Sequence, residues 1–84
     1  MTMYKVRARQ VSRFVKDFTS EHGYPPSGDE IAEGIDVGRT YVYLLLDRME
    51  SEGLIERPRM QGRALGRNLR LTRAAMKLAR EEMS

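Results

Sequence analysis

Eighty-four residues without cysteine and with one histidine, His22, exclude disulfides, thiolate metal sites and a histidine-built metal cluster, and they suffice for one domain with a small core. No apolar run approaches the ~20 residues that cross a bilayer and no signal peptide precedes the domain, so a cytoplasmic protein without a membrane role is expected, in a bacterium or in the host of a virus or plasmid. The net charge of +3 is segregated: residues 21–56 carry nine acids against Arg39 and Arg48, whereas Arg57 to Arg80 carries eight basic residues and no acid, which points to a polyanionic partner.

The first helix is predicted over much of Lys5 to Glu21, with its start open between Thr2 and Arg7. Val11, Phe14, Val15 and Phe18 fall at i, i+3, i+4 and i+7 and make one apolar, core-facing stripe. His22-Gly23 ends the helix and Tyr24-Pro25-Pro26 forbids its continuation. His22 reads as a helix-end residue suited to the C-terminal dipole, with no nucleophile or paired carboxylate beside it.

Ser27 followed by Glu30 is a capping box, opening a short helix whose Ile31, Ala32 and Ile35 share a buried face. Gly34 to Gly38 supplies a tight turn. A longer helix fits Arg39 to Glu52, with Val42, Leu45, Leu46 and Met49 inward. Thr40, Leu44, Asp47 and Ser51 lie opposite, flanked by Tyr41, Tyr43 and Arg48. Gly53 is placed as the left-handed stop. Two helices joined by so short a turn form a helix-turn-helix, whose second helix would enter the DNA major groove.

Leu54 to Pro58 reads as a strand ended by its proline, and Arg67 to Leu71 as a half-buried strand. Between them Arg59 to Gly66 is a loop, so the pair makes a hairpin with a long basic tip. Thr72 caps a last helix, Arg73 to about Met83. That helix is not needed to close the core: it packs on the first helix or presents its Ala75, Leu78, Ala79 and Met83 stripe to a second copy in a homodimer. The expected fold is mainly α with a small β-hairpin: a winged helix-turn-helix with a three-helix core, a wing and an additional C-terminal helix. It forms a single domain over residues 1–84, with the helix-turn-helix at about 27–53, the wing at about 54–71 and the last helix at about 72–83.

Ala8-Arg9-Gln10, His22-Gly23-Tyr24-Pro25-Pro26-Ser27, Glu30-Ile31-Ala32-Glu33, then Leu46, Met49 and Glu52-Gly53-Leu54-Ile55-Glu56 resemble the DNA-binding domain of the LexA repressor family. Arg67-Asn68-Leu69-Arg70-Leu71 is similar to its final wing strand. The resemblance covers roughly residues 8–71. The Gly-Tyr-Pro-Pro-Ser run with Glu-Ile-Ala is its specific part, and the rest would fit other winged helices, MarR-type repressors included. It implies a transcriptional repressor domain whose base-reading positions fall on Thr40, Tyr43 and Leu44 and whose wing contact falls between Arg59 and Arg67. The sequence departs from the family pattern in a turn about one residue shorter near Gly38-Arg39, in a longer wing, and in a reading face without the usual polar readers. It ends where the family's linker would begin, so self-cleavage is not expected of this chain alone.

The chemistry of the candidate residues supports DNA contact unevenly. Arg39 is the one bidentate base donor on the reading face; Thr40 and Leu44 suit thymine methyls; Tyr41 and Tyr43 can donate to phosphates or bases; Asp47 can accept from cytosine but repels phosphates. Ser27, at the front of the preceding helix, joins this DNA-facing set. In the wing, Arg57, Arg59, Arg63, Arg67 and Arg70 can follow phosphates or enter a narrow minor groove, with Gln61 adding a hydrogen bond. The expected partner is double-stranded DNA, bound as a homodimer, with no cofactor, no metal and no enzymatic activity. The alternatives are a protein-interaction winged helix, an antirepressor or adaptor using Tyr41, Tyr43 and Leu44, or a replication or recombination accessory factor.

Overall fold

The computed structural model describes residues 3–60, 63–64 and 69–81. Helix α1 (Met3–His22) begins within the range left open between Thr2 and Arg7 and stops where Gly23 turns left-handed at φ +82°, its N–H donating to the Thr19 carbonyl at 2.8 Å. Val11 and Val15 of the expected stripe are buried, whereas Phe14 and Phe18 are only half-buried. Ala8, Arg9 and Ser12 complete the buried face of α1, so two sides of this helix are covered. The Phe18 ring leaves the core for an aromatic group with His22, at 4.2 Å between centroids, and Tyr24, at 5.8 Å.

Helix α2 (Gly28–Gly34) opens with the expected capping box. The Ser27 N–H donates to Glu30 Oε1 at 2.8 Å, and Ser27 Oγ accepts from the Glu30 N–H at 3.2 Å. Its end falls at the expected turn. The left-handed residue of the turn is Asp36, at φ +57°, and neither Gly34 nor Gly38. The Val37 N–H reaches the Ala32 carbonyl at 3.0 Å, closing a Schellman turn around Asp36, a residue type that tolerates this conformation. Gly34 has another use: a Cβ there would fall on the Phe14 ring, inside contact distance.

Helix α3 (Arg39–Ser51) buries Val42, Leu45, Leu46 and Met49, the face its periodicity assigns. It ends in a second Schellman turn: Gly53 at φ +78°, with the Leu54 N–H on the Met49 carbonyl at 2.8 Å. Strand β1 (Ile55–Glu56) then pairs antiparallel with β4 (Arg70–Leu71), Ile55 opposite Leu71 and Glu56 opposite Arg70. Strand β1 is shorter than the sequence suggests, because Pro58 lacks the donor that would extend it. The stretch expected to be an open loop contains a ladder of its own. Strands β2 (Arg59–Met60) and β3 (Arg63–Ala64) pair antiparallel with Arg59 opposite Ala64. Two residues (57 and 58) separate β1 from β2 and five (65 to 69) separate β3 from β4, so the outer and inner ladders do not share one register.

Helix α4 (Arg73–Arg80) corrects the expectation that it is dispensable to the core. Ala75, Leu78 and Ala79 are buried where it packs on α1, and Leu78 belongs to one apolar cluster with Val11, Val15, Ile31, Val42, Leu69 and others. Ala75, Leu78 and Ala79 of the stripe offered for a dimer contact are therefore covered within the monomer. Two arginines of α1 close the far end of α4. Arg9, 2% exposed, pairs with Glu81 at 3.1 Å. Arg13 donates to the Ala79 carbonyl at 2.8 Å and to that of Glu81. Cations at a helix C-terminus satisfy its orphan carbonyls and complement its dipole. At the near end Thr72 accepts from the Ala75 N–H and donates toward the Gly53 and Leu54 carbonyls, which ties α4 to the turn after α3. This is the winged helix-turn-helix architecture, with a fourth helix built into its core.

A polar latch joins the start of α1 to the end of α3. The Tyr4 hydroxyl donates to Glu52 Oε1 at 3.0 Å, Arg48 lies over the Tyr4 ring at 3.7 Å, and Arg48 pairs with Glu52 at 3.1 Å. Hydrogen bonds from Arg48 and Tyr4 hold the Glu52 carboxyl below its ordinary range. Burial, then the hydrogen bond to Glu52, pushes the Tyr4 phenol up to about 12.

Gly34→Ala should destabilise the domain by roughly 1–3 kcal/mol in denaturant unfolding, because the Phe14 ring must move. Helix propensity alone would have stabilised by about 1 kcal/mol, so the sign of the change is decisive. For Tyr4 the folded pKa lies above the unfolded value of about 10, so its stabilisation is complete below that pH and disappears as the pH rises toward 12. An absorbance titration should find a tyrosine ionising near pH 12, and Tyr4→Phe should remove that step.

Candidate nucleic-acid interface

The exposed side of α3 follows from its buried side. With Val42, Leu45, Leu46 and Met49 facing the core, Thr40, Leu44 and Asp47 form a line on the opposite surface, with Tyr41 and Tyr43 beside it. All five are exposed, Leu44 the most among the large apolar residues of this helix, at 63%. Water would not hold a leucine there for its own sake, although a lone exposed leucine is ordinary. Its alignment with two partly exposed tyrosines gives the helix an apolar outer surface.

Tyr43 is braced from α2. A Cβ on Gly28 would lie 2.7 Å from Tyr43 Cζ, so the glycine admits the ring against the first turn of that helix. Ser27, expected to face DNA, is engaged as the N-cap through both its backbone and its hydroxyl. Arg39, the expected bidentate reader, is held by Asp29 at 2.9 Å. Both partners are well exposed, so this pair contributes little, about 0–1 kcal/mol, and can open toward another anion.

The wing arginines divide into different environments. Arg57 is turned inward against α3: its guanidinium meets Asp47 at 2.6 Å and Glu50 at 2.8 Å, with 11% of the side chain exposed. Burial lowers its pKa, but the two carboxylates more than offset this and leave it above the ordinary guanidinium value. Arg70 is exposed and reaches across the ladder to Glu56 at 3.2 Å. The backbones of Arg59 and Arg63 lie on the facing strands β2 and β3, one residue out of direct opposition. Gln61 and Arg67 lie outside the described residues, and so does Met83 of the expected last helix.

Four features of this surface were not legible in the sequence. Arg9 and Arg13 are engaged with α4. Asp29 holds Arg39, and Glu50 shares Arg57 with Asp47. These contacts join separate elements, and no local spacing encodes them. Arg48 with Glu52 is the exception, since its i,i+4 spacing on one helix is visible. The fourth feature is an open apolar cleft of about 660 Å³ between α1, Pro25, Pro58, β4 and Met76, larger than expected of so small a domain. Among the described residues no group of three or more His, Cys, Asp or Glu could hold a metal ion, and no helix is long and apolar enough to cross a membrane.

The LexA DNA binding domain matches this chain over residues 1–64. A LexA repressor from Roseiflexus is 46% identical over 52 residues, which are 61% of this chain and 24% of that protein. One from Exiguobacterium is 38% identical over 66 residues, 77% of this chain and 32% of that protein. The chain thus spans about a quarter to a third of the length of these relatives. Among solved structures, a point mutant of Staphylococcus aureus MepR superposes with a TM-score of 0.67 at 19% identity, over 94% of this chain and 53% of that one. A further structure of MepR, described as a transcription regulator of the multidrug efflux pump MepA, gives 0.55 at 22% identity, over 90% and 62%. At such identities the likeness is one of fold.

Proposed function

The chain belongs to the family of LexA DNA binding domains, and from that we propose that it is a DNA-binding transcriptional regulator, a sequence-specific repressor that reads the major groove with α3. The observation that carries this reading is the two-sidedness of α3. Its inner face fills the core, and its outer face stays uncovered at the front of a helix-turn-helix braced by the Ser27 cap and the Gly28–Tyr43 contact. Thr40 and Leu44 would meet thymine methyls. Arg39 would leave Asp29 for a guanine edge or a phosphate. Tyr41 and Tyr43 would donate at the groove wall, and Asp47 would accept from a cytosine amino group.

Affinity would come mainly from the wing. Arg59, Gln61, Arg63 and Arg67, with Arg70 at its base, would follow the backbone or enter the minor groove. A single domain of this kind covers only about 600–1,000 Å² on DNA, so a homodimer on two half-sites about one helical turn apart is the natural binding form. Since Ala75, Leu78 and Ala79 are covered by α1, such a dimer would use the outer surface of α4 or another face. The exposed Tyr41, Tyr43 and Leu44 also favour a second reading, an adaptor that holds a protein partner on α3.

Selection from a random duplex library at fixed salt separates the two. Enrichment of a palindrome supports a dimeric regulator; no enrichment, together with tight binding of a protein, supports the adaptor. On the enriched duplex, Arg63→Ala should weaken binding to all sequences and lower the log–log salt slope by about one unit. Unchanged affinity and slope would remove Arg63 from the interface. Thr40→Ala and Tyr43→Ala should relax sequence preference more than they weaken non-specific binding, measured as the ratio of the two dissociation constants. Equal losses on both would place the base reading elsewhere.

A further inference from the structure

A helix that approaches DNA should not carry bare carboxylates on the approaching side, yet α3 carries Asp47 and Glu50 within one turn of each other. Asp47 is 66% exposed and lies in line with Thr40 and Leu44. Both carboxylates are bound by one guanidinium, that of Arg57, which comes from the chain between β1 and Pro58. We propose that Arg57 is a charge-masking and positioning residue: it neutralises Asp47 and Glu50 so that α3 can approach phosphate, and it touches no phosphate itself. This rests on the DNA-binding reading given above.

Three observations support it. First, the guanidinium makes two charge-assisted hydrogen bonds, at 2.6 and 2.8 Å, and would have to give up both to reach DNA. Arg39 and Arg70, by contrast, are each held in an exposed pair with one carboxylate. Second, only 11% of the Arg57 side chain is exposed, against 72% for Arg39 and 71% for Arg70. Third, the charge arithmetic has the right sign. The three groups together sum to one negative charge, and removal of Arg57 takes one positive charge from beside the reading face, which lowers affinity for every sequence. The same contact fixes the base of the wing to the flank of α3, so the two surfaces that meet DNA share one joint.

The test uses the full chain and a random-sequence duplex at low salt, where base reading counts for little. Arg57→Gln should weaken binding by about tenfold. Adding Asp47→Asn and Glu50→Gln to it should restore affinity at least to that of the unaltered chain, because there is nothing left to mask. Arg57→Lys, which keeps the charge, should lose less than Arg57→Gln. If Arg57→Gln does not fold, Asp47→Asn with Glu50→Gln in the presence of Arg57 carries the test, and it should bind tighter than the unaltered chain. A triple variant as weak as Arg57→Gln would mean that Arg57 touches DNA or only holds the wing, and an unchanged affinity of the Asp47→Asn, Glu50→Gln pair would also overturn the mask. If the unaltered chain binds no duplex at all, the DNA-binding reading fails instead, and this outcome is distinguishable from the others.

Discussion

The structure depends on α1 being covered on two sides. One side, through Ala8, Val11 and Val15, enters the cluster that also holds Ile31, Val42 and Leu45. The other packs α4, with Arg9 and Arg13 reaching its last carbonyls and Glu81. A domain of 84 residues has few apolar side chains to bury, and covering one long helix twice extends a small core without lengthening the chain. Each fully buried aliphatic side chain contributes about 1.5–3 kcal/mol, so the leucines and valines that α1 gathers outweigh any single polar contact described above. α2 and α3 pack on α1 and on each other, and the outer face of α3 is what remains uncovered.

The arginines divide along the same line. Arg9, Arg13 and Arg57 serve the fold, each meeting a carboxylate or a helix carbonyl. Arg39 and Arg70 sit in exposed pairs that contribute little in water and can exchange one anion for another. Counting charge along the sequence treats these groups alike, but burial separates them. A buried guanidinium must keep its partners, since an uncompensated charge left in the interior is costly. An exposed one gives up a carboxylate for a phosphate at little cost. The cations available to a polyanion are therefore fewer than the composition suggests.

Much of the architecture was legible because it is written in local patterns. The Ser27–Glu30 box, the inward face of α3 and the Gly53 stop each lie within a few residues and recur in the structure where periodicity and capping place them. The turn falls at Gly34 to Gly38 as expected, but within it Asp36 takes the left-handed angle and Gly34 makes room for Phe14, a contact between helices that no local rule anticipates. That α4 packs on α1 was one of two expected placements, but its share in the core was not anticipated, for the same reason: Leu78 looks like any stripe residue until α1 is laid against it. Of the candidate interface, the exposed line on α3 could be derived from its buried face, whereas the Arg57 and Arg39 pairings could not, because they depend on how α2, α3 and β1 meet.

If α3 reads DNA as proposed, its apolar outer face sets the division of labour. Thr40, Leu44 and the two tyrosines offer shape and methyl contacts, which discriminate between bases but add little electrostatic attraction. Attraction is sequence-independent and long-ranged, and it sits on the wing, at the far end of a joint that Arg57 makes with α3. The order of events then follows from range. Charge draws the wing to the backbone first, and only in register does the apolar face of α3 reach base edges, where a mismatch leaves its few contacts unmade. A reader of this kind gains specificity from fit rather than from a network of polar bonds. It therefore depends on the rigidity of its supports, which are the Gly28–Tyr43 contact below the helix and the Tyr4–Arg48–Glu52 latch at its end.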